Sequence, residues 1–140
     1  MASPKIEINQ EIPSVTKSVT RQSIDQFESV GIMETENIHN SEEMARERLG
    51  TDYILASGRM SITFAAESLR KFFGSEVFNH TGTVNLKFLR PVTSGDTITV
   101  YGNVVNQEKV ETGTLVSVDI YCENQNQDKT AAGLGTAIVP

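Results

Sequence analysis

The chain has 140 residues, of which 38% are hydrophobic and 21% are charged, a composition typical of one globular domain with its own core. Its formal net charge of −6 argues against nucleic acid and anionic membranes as partners, because both attract basic proteins. The single cysteine, Cys122, excludes an internal disulfide. Since there is also no apolar leader and no run of ~20 apolar residues, we expect a cytoplasmic protein without a membrane span.

The first third of the chain predicts a short strand and two short helices. Residues 1–11 carry few apolar side chains and are expected to form a loose lead-in, whereas residues 15–19 suit a strand or extended arm. A helix is predicted from the N-cap Thr20 to the stop signal Gly31, because apolar residues recur between them at helical spacing. A second helix is predicted over residues 41–50, with serine at its start and glycine at its end.

The longest predicted helix begins near Gly58 and ends at Gly74. Apolar residues keep the i, i+3, i+4, i+7 pattern along one face, and Met60, Phe64 and Phe72 add a second apolar face. A helix that is apolar on more than one side is normally enclosed by the rest of the protein.

From residue 81 onward the apolar period changes from about 3.6 to 2, which is typical of strands with one buried face. Four such runs, separated by turn residues, predict an antiparallel meander, and Cys122 falls among the inward-facing residues of the third run. The predicted fold class is α+β, one hot-dog domain over residues 1–140 in which the sheet wraps around the long helix. The Gly133–Gly135 pair in the last run is expected to let that strand pass close to a neighbour.

The candidate site combines a polar loop with the start of the long helix. The loop at residues 32–40 contains Glu34, Glu36 and His39. A helix N-terminus such as that at Gly58 carries free N–H groups and a partial positive charge. A loop histidine facing it would suit the binding and polarisation of a carbonyl group.

Three stretches resemble motifs of one family. Residues 24–27 followed by 37–39 (NIH) resemble the helix and D-x-N-P-[IL]-H signature of that family, and residues 56–60 (ASGRM) resemble its A-H-G-M segment. Residues 85–97 (NLKFLRPVTSGDT) resemble its R-F-L-R-P-V-x-x-G-D-T stretch. Over residues 20–139 the chain therefore resembles the MaoC-like dehydratase branch of the hot-dog superfamily, which includes the (R)-specific enoyl-CoA hydratases.

The chain departs from the family pattern at several positions of the site. Glu34 stands where the family has aspartate, five residues before His39, and the proline of the signature is missing. Ser57 replaces the histidine before the helix glycine, and Arg59 stands where a small or apolar residue is usual. These changes leave His39 and Gly58 as the matched positions.

The resemblance implies reversible addition of water to a 2-enoyl thioester carried by CoA or by an acyl carrier protein. It implies proton transfer by His39, with Glu34 as its carboxylate and Glu36 as the fallback, and stabilisation of the thioester oxygen by the N–H of Gly58. Further residues expected to bind substrate or shape the oxyanion site are Ser57, Asn37 and Arg59. No metal is expected, and no cofactor beyond the CoA or phosphopantetheine of the substrate.

Two other functions stay open from the sequence. The altered loop is compatible with a non-catalytic hot-dog subunit that shapes an acyl channel for a catalytic partner. A thioesterase would need a carboxylate on the long helix, where Glu67 is the only acid. The resemblance implies a homodimer, or a hetero-oligomer with a second hot-dog subunit.

Overall fold

The computed structural model describes residues 5–30 and 36–140. In these ranges the helices are α1 Arg21–Glu28, α2 Glu42–Leu49, α3 Gly58–Phe73 and α4 Ser75–Thr81. The strands are β1 Val15–Ser18, β2 Thr83–Phe88, β3 Thr97–Val110, β4 Gly113–Glu123 and β5 Lys129–Val139. The sequence patterns predicted every element except α4, which is only seven residues long.

Local capping explains where the helices begin and end. Thr20 and Ser41 cap α1 and α2 by accepting backbone N–H bonds, and Gly50 ends α2 in the left-handed region at φ 72°. The first helix ends at Glu28, before the predicted stop at Gly31, which lies outside the described residues.

The five strands form one antiparallel sheet in the order β1-β3-β4-β5-β2. The predicted four-strand meander is therefore wrong in one respect, because β2 pairs with β5 and not with β3. A side chain at Gly133 would collide with the backbone of β2, and one at Gly135 would collide with Leu69 of α3. The two glycines thus allow the close approach that the sequence predicted for the last strand.

The core lies between the inner face of the sheet and α3. Val118 and Ile120 of β4 and Ala65 and Leu69 of α3 are completely buried. This arrangement confirms the predicted α+β hot-dog fold with an enclosed central helix. In the two described ranges, no helix combines the length and apolar character needed to cross a bilayer.

The N-terminal segment is bound to β3 over part of its length. The N–H of Asn9 donates to Val104 O at 2.7 Å, and the N–H of Ile12 donates to Gly102 O at 3.0 Å. The expectation of a loose lead-in through residue 11 is thus wrong for residues 9–11, because their backbone groups extend the hydrogen bonding of an edge of the sheet.

Burial of Cys122 predicts a pH-dependent stability. The thiol is fully buried, and this burial raises its pKa to about 11. Between about pH 9 and 11 the unfolded chain loses a proton that the folded chain keeps, so the free energy of unfolding should fall by up to about 1.4 kcal/mol per pH unit. Denaturant titrations of the wild type and of Cys122→Ala across this pH range give the difference in their free energies of unfolding. A difference that stays constant with pH would contradict the prediction.

Candidate active site

A cavity of about 350 Å³ lies beside the N-terminus of α3. Its apolar walls are Leu55, Ala56, Phe88, Leu89, Pro91 and Val92. Its remaining lining is more polar or offers backbone groups, and consists of His39, Ser57, Gly58, Ser61, Arg90 and Thr130. Apolar walls with a few convergent polar groups are typical of small-molecule sites.

His39 is held in the cavity wall by two hydrogen bonds. Its ring Nδ1 lies 2.7 Å from Leu55 O, and its backbone N–H donates to Asn37 Oδ1 at 2.8 Å. A carbonyl oxygen only accepts, so Nδ1 must carry a proton. In the neutral ring Nε2 then has a free lone pair, which makes His39 able to accept a proton from a bound molecule.

Gly58 is the first residue of α3 and lines the same cavity. Ser57 caps the helix by accepting the N–H of Arg59 at 3.2 Å, and the N–H of Gly58 has no acceptor among the described residues. The ring of Phe88 packs against Gly58, where an added Cβ would lie 2.5 Å from the ring. A glycine here leaves room for the Phe88 ring in the cavity wall.

Two other residues predicted for the site do not line the cavity. Asn37 is 2% exposed and does not line the cavity, and neither does Arg59. Glu34 lies outside the described residues, and Glu36 is exposed to solvent. The structure thus places His39, Ser57 and Gly58 on one cavity, while their chemical roles stay predictions.

Sequence reasoning missed Glu28, the last residue of α1. Its side chain is only 2% exposed, and its carboxylate accepts from Asn37 Nδ2 at 3.2 Å and pairs with Arg59 Nη2 at 3.4 Å. An arginine at the start of a buried helix needs a counter-ion, so Arg59 was the signal that pointed to such an acid.

Comparisons with known proteins identify the family. The family model described as MaoC like domain matches residues 5–125. The chain belongs to the MaoC-like domain family. No curated protein matches the sequence significantly.

Solved structures share the fold of this MaoC-like domain at low identity. A monoamine oxidase regulatory protein from Archaeoglobus fulgidus is 23% identical, with a TM-score of 0.76 over 96% of this chain and 90% of the other. The R-hydratase PhaJ1 from Pseudomonas aeruginosa is 21% identical, with a TM-score of 0.74 over 96% and 83%. A 3R-hydroxyacyl-ACP dehydratase complex, HadBC, from Mycobacterium tuberculosis is 16% identical, with a TM-score of 0.72 over 99% and 100%.

Two features of this MaoC-like domain concern thioester hydrolysis and metal binding. Glu67 is held by Lys17 of β1 at 3.0 Å and does not line the cavity, so it is poorly placed to activate water for thioester hydrolysis. Within residues 5–30 and 36–140 no three side chains of His, Cys, Asp or Glu converge as a metal site would require.

A larger groove of about 690 Å³ shares the lining residues Arg90 and Pro91 with the cavity. Its charged lining residues are mainly acidic, namely Glu42, Asp52, Asp96 and Asp128 against Arg21 and Arg90. Arg21 donates to Glu42 and thereby lowers the pKa of that carboxyl. Arg90, by contrast, forms no side-chain hydrogen bond or ion pair with the described residues and lines both the groove and the cavity.

Proposed function

We propose that this MaoC-like domain catalyses the reversible addition of water to a 2-enoyl thioester carried by CoA or an acyl carrier protein. The observation that carries the proposal is that His39, whose Nδ1 is bonded to Leu55 O, and Gly58, the first residue of α3, line the same cavity. Two solved structures of the same fold are named as an R-hydratase and a hydroxyacyl-ACP dehydratase, which supports the reaction class.

Each site residue has a separate role in the proposed reaction. Nε2 of neutral His39 accepts a proton from water as the water oxygen bonds to C3 of the enoyl group. Electron density moves to the thioester oxygen, where the N–H of Gly58 and the positive end of α3 stabilise it. His39 then delivers this proton from Nε2 to C2 and returns to its neutral form, while C3 keeps the hydroxyl group; we assign Glu34 to hold the water together with His39. The apolar walls beside Phe88 and Val92 hold the acyl chain.

The test follows the reaction of crotonyl-CoA with two signals in parallel. Ultraviolet absorbance reports loss of the conjugated thioester, and a thiol reagent reports release of CoA. We expect the absorbance to fall without release of thiol. Thiol release would point to a thioesterase. No change in either signal, repeated with crotonyl-pantetheine, would overturn hydratase activity and favour a non-catalytic subunit.

We propose that the protein acts as a homodimer or with a second hot-dog subunit. In the described structure β2 lies at an edge of the sheet, and Phe88 and Leu89 beside the cavity are 52% and 47% exposed. The HadBC complex offers an example of two different chains with this fold. The second candidate function is that of a non-catalytic subunit, which would shape an acyl channel for a catalytic hot-dog partner.

Sedimentation of the purified protein is expected to give twice the mass of one chain at micromolar concentration. Leu89→Glu should shift the protein toward monomer, because a charge would be buried in the contact. The matched control is Val105→Glu, since Val105 is 43% exposed on β3, three strands away from β2. A monomeric wild-type chain would contradict the homodimer and leave the hetero-oligomer.

We also propose that the protein works in the cytoplasm and needs no separate cofactor. A single buried cysteine suits a reducing compartment, which supports a cytoplasmic location. The proposed chemistry uses protons, hydrogen bonds and a helix dipole, so it takes no cofactor beyond the CoA or phosphopantetheine of the substrate.

A further inference from the structure

A chain of hydrogen bonds joins the end of α1 to His39. One oxygen of the Glu28 carboxylate accepts from Asn37 Nδ2 at 3.2 Å, and Asn37 Oδ1 accepts the backbone N–H of His39 at 2.8 Å. The other oxygen of Glu28 pairs with Arg59 at 3.4 Å. Arg59 in turn donates to Ser57 Oγ at 3.1 Å, so one buried carboxylate connects the histidine loop with the start of α3.

Each charge of this pair lies at the end of its helix where the helix dipole has the same sign, which is unfavourable. Glu28 is at the C-terminal end of α1, where the helix dipole is negative, and Arg59 is in the first turn of α3, where it is positive. Glu28 also loses its hydration, since its side chain is 2% exposed. Moreover, Nη1 of Arg59 is buried without a partner in the described part of the chain. Helix stability therefore does not account for the pair.

We propose that Glu28 is a positioning residue for the active site. Through Asn37 it sets the backbone of His39, and through Arg59 it fixes that loop against the helix that presents Gly58. The base and the oxyanion donor come from separate parts of the chain, and their spacing decides the rate. This inference rests on the proposed hydratase function and assigns no contact between Glu28 and substrate.

The decisive variant is Glu28→Ala, measured as kcat and KM for crotonyl-CoA hydration. We expect kcat to fall about 10- to 100-fold, because misplacement of a catalytic group by about 1 Å has an effect of that size. KM should change less than about twofold, since Glu28 does not line the cavity. In ¹⁵N spectra the ring resonances of His39 should shift as the loop loses its anchor.

The matched control is Glu67→Ala, which removes another ion pair of α3, to Lys17 at 3.0 Å, away from the cavity. It should leave kcat and the His39 resonances unchanged. Glu28→Gln keeps an oxygen that can accept from Asn37 and should retain kcat within about threefold. Wild-type kcat together with unchanged His39 resonances in Glu28→Ala would overturn the proposal.

A second variant keeps the test valid if Glu28→Ala does not fold. Glu28→Ala with Arg59→Met removes both charges of the pair and leaves neither partner unpaired, so the double variant is expected to fold. Its kcat should remain low because the hydrogen bond from Asn37 to Glu28 is lost, and wild-type kcat would overturn the proposal. If the wild type hydrates no enoyl thioester, the proposed function fails. The shift of the His39 resonances in Glu28→Ala, but not in Glu67→Ala, then still decides the positioning role.

Discussion

Replacing His39 by alanine is expected to lower kcat for hydration of crotonyl-CoA by about 10²- to 10⁴-fold, the usual contribution of a positioned acid or base. The ring Nδ1 is held by Leu55 O at 2.7 Å, which leaves Nε2 to accept the proton of the attacking water. Alanine removes that acceptor and leaves the apolar walls of the cavity in place. Steady-state absorbance kinetics measure the effect.

The control for this substitution is His80→Ala. The ring Nδ1 of His80 also bonds a backbone carbonyl, Glu76 O at 2.8 Å, but His80 lies on α4 and does not line the cavity. The control variant should keep wild-type kcat. Full activity in His39→Ala, with circular dichroism showing a folded protein, would exclude His39 as the base.

Gly58→Ala is expected to lower kcat/KM by about 100-fold while the protein stays folded. The new Cβ would lie 2.5 Å from the ring of Phe88, so the ring must move within the cavity. Phe88 is 52% exposed, and the contact involves the far end of its side chain, so this movement costs little stability. The methyl group also crowds the N–H that should meet the thioester oxygen, an interaction whose loss typically costs 10²- to 10³-fold.

A double variant separates these two causes. Gly58→Ala with Phe88→Ala gives the methyl group room, so activity that returns relative to Gly58→Ala identifies displacement of the ring as the cause. Activity that stays low identifies crowding of the N–H. Wild-type kcat/KM in Gly58→Ala would contradict both explanations and the oxyanion role of Gly58.

The fold was predictable in its elements because these depend on neighbours in sequence. Thr20 and Ser41 cap helices through residues three positions ahead, and the apolar pattern from Gly58 onward describes the face that α3 presents to the sheet. The alternation in β4 likewise identifies its buried side chains, including Cys122.

The candidate site was predictable only in part. The sequence pointed to His39 and Gly58, and the structure places both on one cavity. It also proposed Asn37 and Arg59 as substrate-binding residues, but both are engaged in the network around Glu28 and do not line the cavity. Nothing in the sequence near Glu28 distinguishes it from a solvated glutamate at the end of a helix.

By itself, the sequence determined the helices, the strands, their buried faces and the family resemblance, since periodicity, caps and motifs are local properties of the chain. Only the tertiary structure decided that β2 pairs with β5, because strand order depends on which edge a distant segment reaches. It also decided that Glu28 is buried against Arg59, 31 residues away. Desolvation and pairing of a charge depend on residues brought together by folding, and no local pattern records them.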